Sequence, residues 1–171
     1  MYDEGEVNMI ILGIDPGTAI TGYGVVQTER NGRLRVLGYG SICTLANERT
    51  ENRLKIIYDE VTKVIDEFSP ECMAIEQLFF NQNVRTALAV GQARGVIILA
   101  GCNRQLKIGE YTPLQVKQAV TGQGRAPKDQ VGFMIRVLLG LPEVPRPDDV
   151  ADALAVAICH AHNCRGWGGK L

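Results

Sequence analysis

Four carboxylates carry the chemistry open to this sequence. Asp15 closes the apolar run 9–15 (MIILGID), and Glu76 closes a second run, 72–76 (CMAIE). Asp149 and Asp152 stand three apart in PDDVADAL. On a helix that spacing puts two side chains on one face, one turn apart. Each acid alone has an ordinary explanation, because strand-end aspartates cap turns and an aspartate at a helix start suits its positive end. Together they point elsewhere. Glu76 and Asp152 lie in apolar surroundings, where an ionised carboxylate is costly without a partner. If the first and fourth strands lie side by side and the last helix crosses their ends, all four converge. An oxygen-only cluster suits Mg²⁺, with Mn²⁺ as a substitute. Two such ions can clamp the attacking and leaving oxygens of an in-line phosphoryl displacement.

The elements that must position these acids can be read from periodicity. Segment 9–15 reads as a buried strand ending in the turn Pro16-Gly17. Segments 21–28 and 34–43 read as two more strands, with Asn31-Gly32 as a hairpin signal between them. The chain therefore opens with a three-stranded antiparallel meander. A helix follows, with Leu54, Ile57, Tyr58, Val61, Val64, Ile65 and Phe68 at helical spacing and Asn47 as its expected cap. Ser69-Pro70 stops it. The fourth strand is 72–76 and the fifth 107–111. Between them, 83–102 is a helix with almost no polar face. Such a helix is expected to be buried on both sides, against the sheet and against either a second copy or its own neighbours. Thr112-Pro113 caps a helix to about 120, a basic loop spans 121–127, and another helix spans 128–139. The last helix begins near Asp148 and is expected to reach about His162. The fold class is α/β, a five-stranded mixed sheet flanked by helices.

The chain has 171 residues, which corresponds to one domain. About two-thirds of the surface its unfolded form exposes can be buried, so disulfides are not needed. The expected organisation is an extension over 1–8, one domain over 9–165 and a tail over 166–171. No apolar run is read as reaching the roughly 18 residues of a membrane span, and 1–8 is acidic, unlike a secretory signal. Five cysteines, at 43, 72, 102, 159 and 164, mostly in apolar stretches, are expected to be reduced and mostly buried. The location expected is the cytoplasm. Net charge is −1, but residues 77–140 hold eight basic residues and two acids, against ten and seventeen elsewhere. That segregation suits a basic face for a polyanion, and charge alone leaves chance clustering equally open. Phe79-Phe80 with Asn81-Gln82-Asn83 reads as a loop. One exposed ring there could stack on a base, while Phe80 is expected in the core. Cys159, His160, His162 and Cys164 face different ways on a helix and cannot close around one zinc ion. Gly122-Gln123-Gly124 lacks the lysine of a P-loop.

The segments ILGIDPGTAITGYGVV (11–26), AIEQLFFNQNVRTALAVGQARGVI (74–97), YTPLQVKQAVTGQGRAPKDQV (111–131) and PDDVADALAVAICHAH (147–162) resemble the RuvC-type Holliday junction resolvases of bacteria. These belong to the ribonuclease H-like superfamily. DPGT also resembles the phosphate loop of actin-like ATPases, which need a second lobe this chain is too short to hold.

The resemblance implies a ribonuclease H-like fold and an Mg²⁺-dependent endonuclease that resolves four-way DNA junctions by paired nicks. It places Asp15, Glu76, Asp149 and Asp152 on the catalytic, metal-binding acids; some members have His where this chain has Asp149. It places Lys117 and Lys128 on lysines that serve DNA binding and cleavage, and Phe79 on the aromatic that stacks on an unpaired base. Arg85 and Arg125 are expected to add DNA contacts. Helix 83–102 falls on the dimer interface, and a branch-migration complex, RuvA and RuvB, is the implied partner. The alternatives are a related nuclease acting on RNA or flapped DNA, and a junction-binding subunit that does not cut.

Overall fold

The structure is a computed structural model and describes residues 8–78 and 83–165. One sheet runs in the order β3-β2-β1-β4-β5. Its strands are β1 (Ile10–Asp15), β2 (Ile20–Thr28), β3 (Leu34–Cys43), β4 (Cys72–Glu76) and β5 (Lys107–Tyr111). The first three pair antiparallel, and β4 runs parallel to both β1 and β5. The Asn31-Gly32 hairpin forms where expected. Gly32 takes the left-handed conformation (φ 81°) that a residue with a Cβ adopts at a cost, and the Asn31 side chain accepts from the Arg33 amide at 2.9 Å.

Strand alternation divides the core into two layers. Along β1, Leu12 and Ile14 face one layer and Ile11 faces the other; along β4, Met73 and Ile75 oppose Cys72 and Ala74 in the same way. The first layer is closed by α1 (Thr50–Phe68) and α2 (Val84–Asn103). The second is closed by α5 (Asp148–Arg165), with α3 (Pro113–Thr121) and α4 (Lys128–Leu139) packed outside it. Thr112 caps α3 through a reciprocal capping box with Gln115.

Four expectations are corrected. Helix α1 starts at Thr50 after Arg49, which makes no side-chain cap, so Asn47 is not its cap. Helix α5 continues past His162 to Arg165. Of the two coverings expected for the outer side of α2, its own neighbours do not provide one, since Val84, Leu88 and Leu99 are exposed; the helix buried all round within the chain is α5, whose residues 153–161 are all buried. Cys72 and Cys159 are buried, but Cys43 and Cys102 are exposed. In addition, α2 is long and apolar enough by length and composition to cross a bilayer. Here it packs Ala93, Ile97 and Ala100 into the first layer instead.

Candidate active site

The alternation that sorts the core also aims the acids. Asp15 follows Ile11 and Gly13 by twos, and Glu76 follows Cys72 and Ala74, so both carboxylates project from the α5 side of the sheet. Ile14 pairs with Ile75, so one step further the two acids end adjacent parallel strands side by side.

Helix α5 reaches them because the strands beneath it lack side chains. A Cβ on Gly22 would lie 2.0 Å from the Asp149 carbonyl oxygen, and one on Gly13 would lie 2.2 Å from that of Ala153. Gly22 is also the register partner of Asp15. The first turn of α5 therefore rests on the strand ends, with Asp149 and Asp152 over Asp15. Val150, Ala153, Leu154 and Ala157 pack inward, as their spacing predicts. Fully burying Leu154 alone is worth roughly 1.5–3 kcal/mol.

The resulting cluster resists its own charge. Burial, then Asp152, Glu76 and Asp149, push the Asp15 carboxyl up to about 8, against a smaller opposing pull from Lys128. Burial and Asp152 raise Glu76, which Lys117 partly offsets, and burial raises Asp152 against Lys128. Among the described residues, no three His, Cys, Asp or Glu side chains already close around one point that could hold an ion. The donor set nonetheless fits a hard divalent cation: oxygen only, partly buried, and short of positive charge.

Two lysines face these acids. A cleft is lined by Glu76, Asp152, Lys117 and Lys128 over an apolar floor of Val116, Val131 and Ala155. Lys128 Nζ lies 3.5 Å from Asp152 and 3.1 Å from Asp148, which Arg146 also contacts. Asp148, expected only at the helix start, thus holds a lysine of the cleft, a role its sequence position did not signal. Arg85 and Arg125 are exposed, on the first turn of α2 and in the loop joining the two cleft helices. Phe79 and Phe80 lie outside the described residues. His160 hydrogen-bonds Tyr111 Oη at 2.8 Å and His162 the Ala119 carbonyl at 3.0 Å, apart from the cleft.

Residues 11–160 match the family described as crossover junction endodeoxyribonuclease RuvC. A relative of that description from Desulforamulus reducens is 56% identical over 95% of this chain and 99% of its own. Another, from Moorella thermoacetica, is 61% identical over 90% and 91%. Among solved structures, Thermus thermophilus RuvC in complex with a Holliday junction substrate is 39% identical, with a TM-score of 0.88, over 92% of this chain and 96% of that one. A yeast mitochondrial Holliday junction resolvase, at 12% identity and a TM-score of 0.63, shares the fold.

Proposed function

Because the chain belongs to the RuvC family of crossover junction endodeoxyribonucleases, we propose that its cluster of four carboxylates, two of which line the cleft, hydrolyses phosphodiester bonds at four-way DNA junctions, with Mg²⁺ as the working metal. The observation that carries this is the convergence of Asp15, Glu76, Asp149 and Asp152 on one sheet face, beside Lys117 and Lys128. The four acids would hold two ions. When bound, they would polarise the scissile phosphate and activate a water nucleophile.

The chain's own residues do the rest. Lys128, with its side chain 64% exposed, can exchange its carboxylate partners for a phosphate oxygen. With Lys117 it offsets the charge that grows on the phosphate. The exposed Arg125 and Arg85 add DNA contacts, and the ring of Phe79 stacks on a base opened at the crossover.

The exposed stripe of α2 supports a homodimer. Val84, Leu88, Gly95, Leu99 and Cys102 lie on one face, and a Cβ on Gly95 would meet nothing within 4 Å. A two-fold pair of sites matches a substrate with its own approximate two-fold and yields paired nicks. Residues 9–165 act as one nuclease domain in the bacterial cytoplasm, alongside the branch-migration proteins RuvA and RuvB.

The test is to incubate the protein with labelled four-way junction, linear duplex and RNA–DNA hybrid, with Mg²⁺ or with a chelator. Symmetric nicks in the junction alone, abolished by chelation, are expected. Preferential cutting of the hybrid would overturn the substrate, and binding without nicking would overturn the chemistry.

A further inference from the structure

Arg94 stands behind the cleft, on the α2 side of the sheet. Its guanidinium makes two contacts at once. Nη2 donates to the Glu110 carboxylate of β5 at 2.5 Å, and Nε donates to the main-chain carbonyl of Glu76 at 3.4 Å. The side chain is 18% exposed, whereas the cations of the other described ion pairs are 40–79% exposed. Exposed pairs of that kind contribute little, so a guanidinium folded beneath a strand end stands apart from them.

The backbone explains what it does there. The Gln77 amide donates to the Tyr111 carbonyl at 2.8 Å, on the β5 side. By strand alternation the Glu76 carbonyl turns the other way, towards β1. There β1 ends at Asp15, and the next residue, Pro16, has no N–H to give. The strand that carries an active-site acid would thus end on an acceptor without a ladder donor.

We infer that Arg94 is a positioning residue for Glu76: its fork, anchored on Glu110, supplies the hydrogen bond that Pro16 cannot and fixes the end of β4 from which the Glu76 carboxylate enters the cleft. This rests on the reading of Glu76 as an active-site acid. Lysine cannot replace it, because an ammonium lacks the planar fork that reaches two acceptors in fixed geometry.

Two variants of the full chain test this. Arg94→Lys keeps the charge and loses the fork; Glu110→Gln keeps the anchor's shape and loses its charge. The readouts are Mn²⁺ affinity by calorimetry without DNA, single-turnover junction cutting, junction affinity in chelator, and thermal melting. Junction affinity should match wild type. Mn²⁺ affinity and the cleavage rate constant should fall together, by roughly 10–100-fold for Arg94→Lys and less for Glu110→Gln, and added Mn²⁺ should restore part of the rate. If Arg94→Lys melts much lower, Glu110→Gln decides. Wild-type Mn²⁺ affinity in a folded variant overturns the inference, whether cutting is lost or kept, and leaves the proposed function standing. If the unmodified protein does not cut junctions, the proposed function fails instead, and the Mn²⁺ measurement still decides the positioning claim.

Discussion

Two helices of this chain are almost free of polar residues, and the sheet receives them differently. Helix α5 lies on strands stripped of side chains at Gly13, Gly22 and Gly24, and is then covered by α3 and α4. Helix α2 meets the opposite face through Ala87, Ala93, Ile97 and Ala100, and turns Val84, Leu88, Gly95 and Leu99 outward. Both compositions call for burial on two sides. For α5 the second side is found within the chain; for α2 no described element of the chain supplies it, and the proposed homodimer would. The consequence is functional, because the helix sunk into the sheet carries two of the four acids and the helix left open can pair two sites.

Glycine substitutions break this contrast most directly. Gly22→Ala would place a Cβ 2.0 Å from the Asp149 carbonyl oxygen, so backbone must shift. A loss of about 3 kcal/mol or more in denaturant unfolding is expected, together with loss of cutting. Wild-type stability would mean that α5 does not rest on β2 as described. Gly95→Arg should act in the opposite way. Nothing lies within 4 Å of its Cβ, so the monomer keeps its stability or gains up to about 1 kcal/mol of helix propensity. Dimerisation should weaken by about 1–3 kcal/mol or more. Sedimentation at nanomolar concentration reads this, and an intact dimer there would move the interface away from α2.

The acid end of α5 sharpens the contrast through pH. The Asp15 carboxyl is pushed from 3.8 to about 8 in the folded protein, first by burial and then by its acidic neighbours. Between those values the folded state keeps a proton that the unfolded chain has released. Metal-free stability therefore falls as pH rises from about 4 to 8. Asp15→Asn should stabilise the metal-free protein at pH 8 by roughly 0.5–2 kcal/mol and have little effect at pH 4. Melts at the two pH values check the sign, and equal shifts at both would contradict it.

The smallest effect expected is in thiol labelling. Cys102 is exposed on the open stripe of α2, while Cys72 is buried, its thiol pushed up to about 12 chiefly by desolvation. Cys102 should label quickly in the monomer and several-fold more slowly in the dimer, and Cys72 slowly in both. Equal labelling of Cys102 in the two states would place it outside the interface.

Much of this was legible in the sequence because the signals were local. The apolar runs 9–15 and 72–76, each closed by an acid, the Thr112-Pro113 start and the acid spacing at 149 and 152 each act within a few residues, and the structure keeps them. The rest depended on register. Gly13 and Gly22 are visible in the chain, but only the pairing of β1 with β2 shows that they make one floor for α5. Asp148 reads as a helix-start acid until Lys128 is seen beside it. Arg94 reads as one cation in a basic segment until the Glu76 carbonyl is seen at the strand end. The Asn47 cap failed because Asn47 lies three residues before the helix begins at Thr50, too far to cap its first turn.

The central claim is that the four acids on the α5 face do the cutting, and Asp152→Asn tests it most directly. The change keeps shape and removes one negative charge from a half-buried carboxylate beside Lys128. Junction cutting with Mg²⁺ should fall by roughly 100-fold or more. Junction affinity in chelator should hold or rise, because one charge that repels phosphate is gone. A well-folded Asp152→Asn protein that nicks junctions at the wild-type rate would contradict the account.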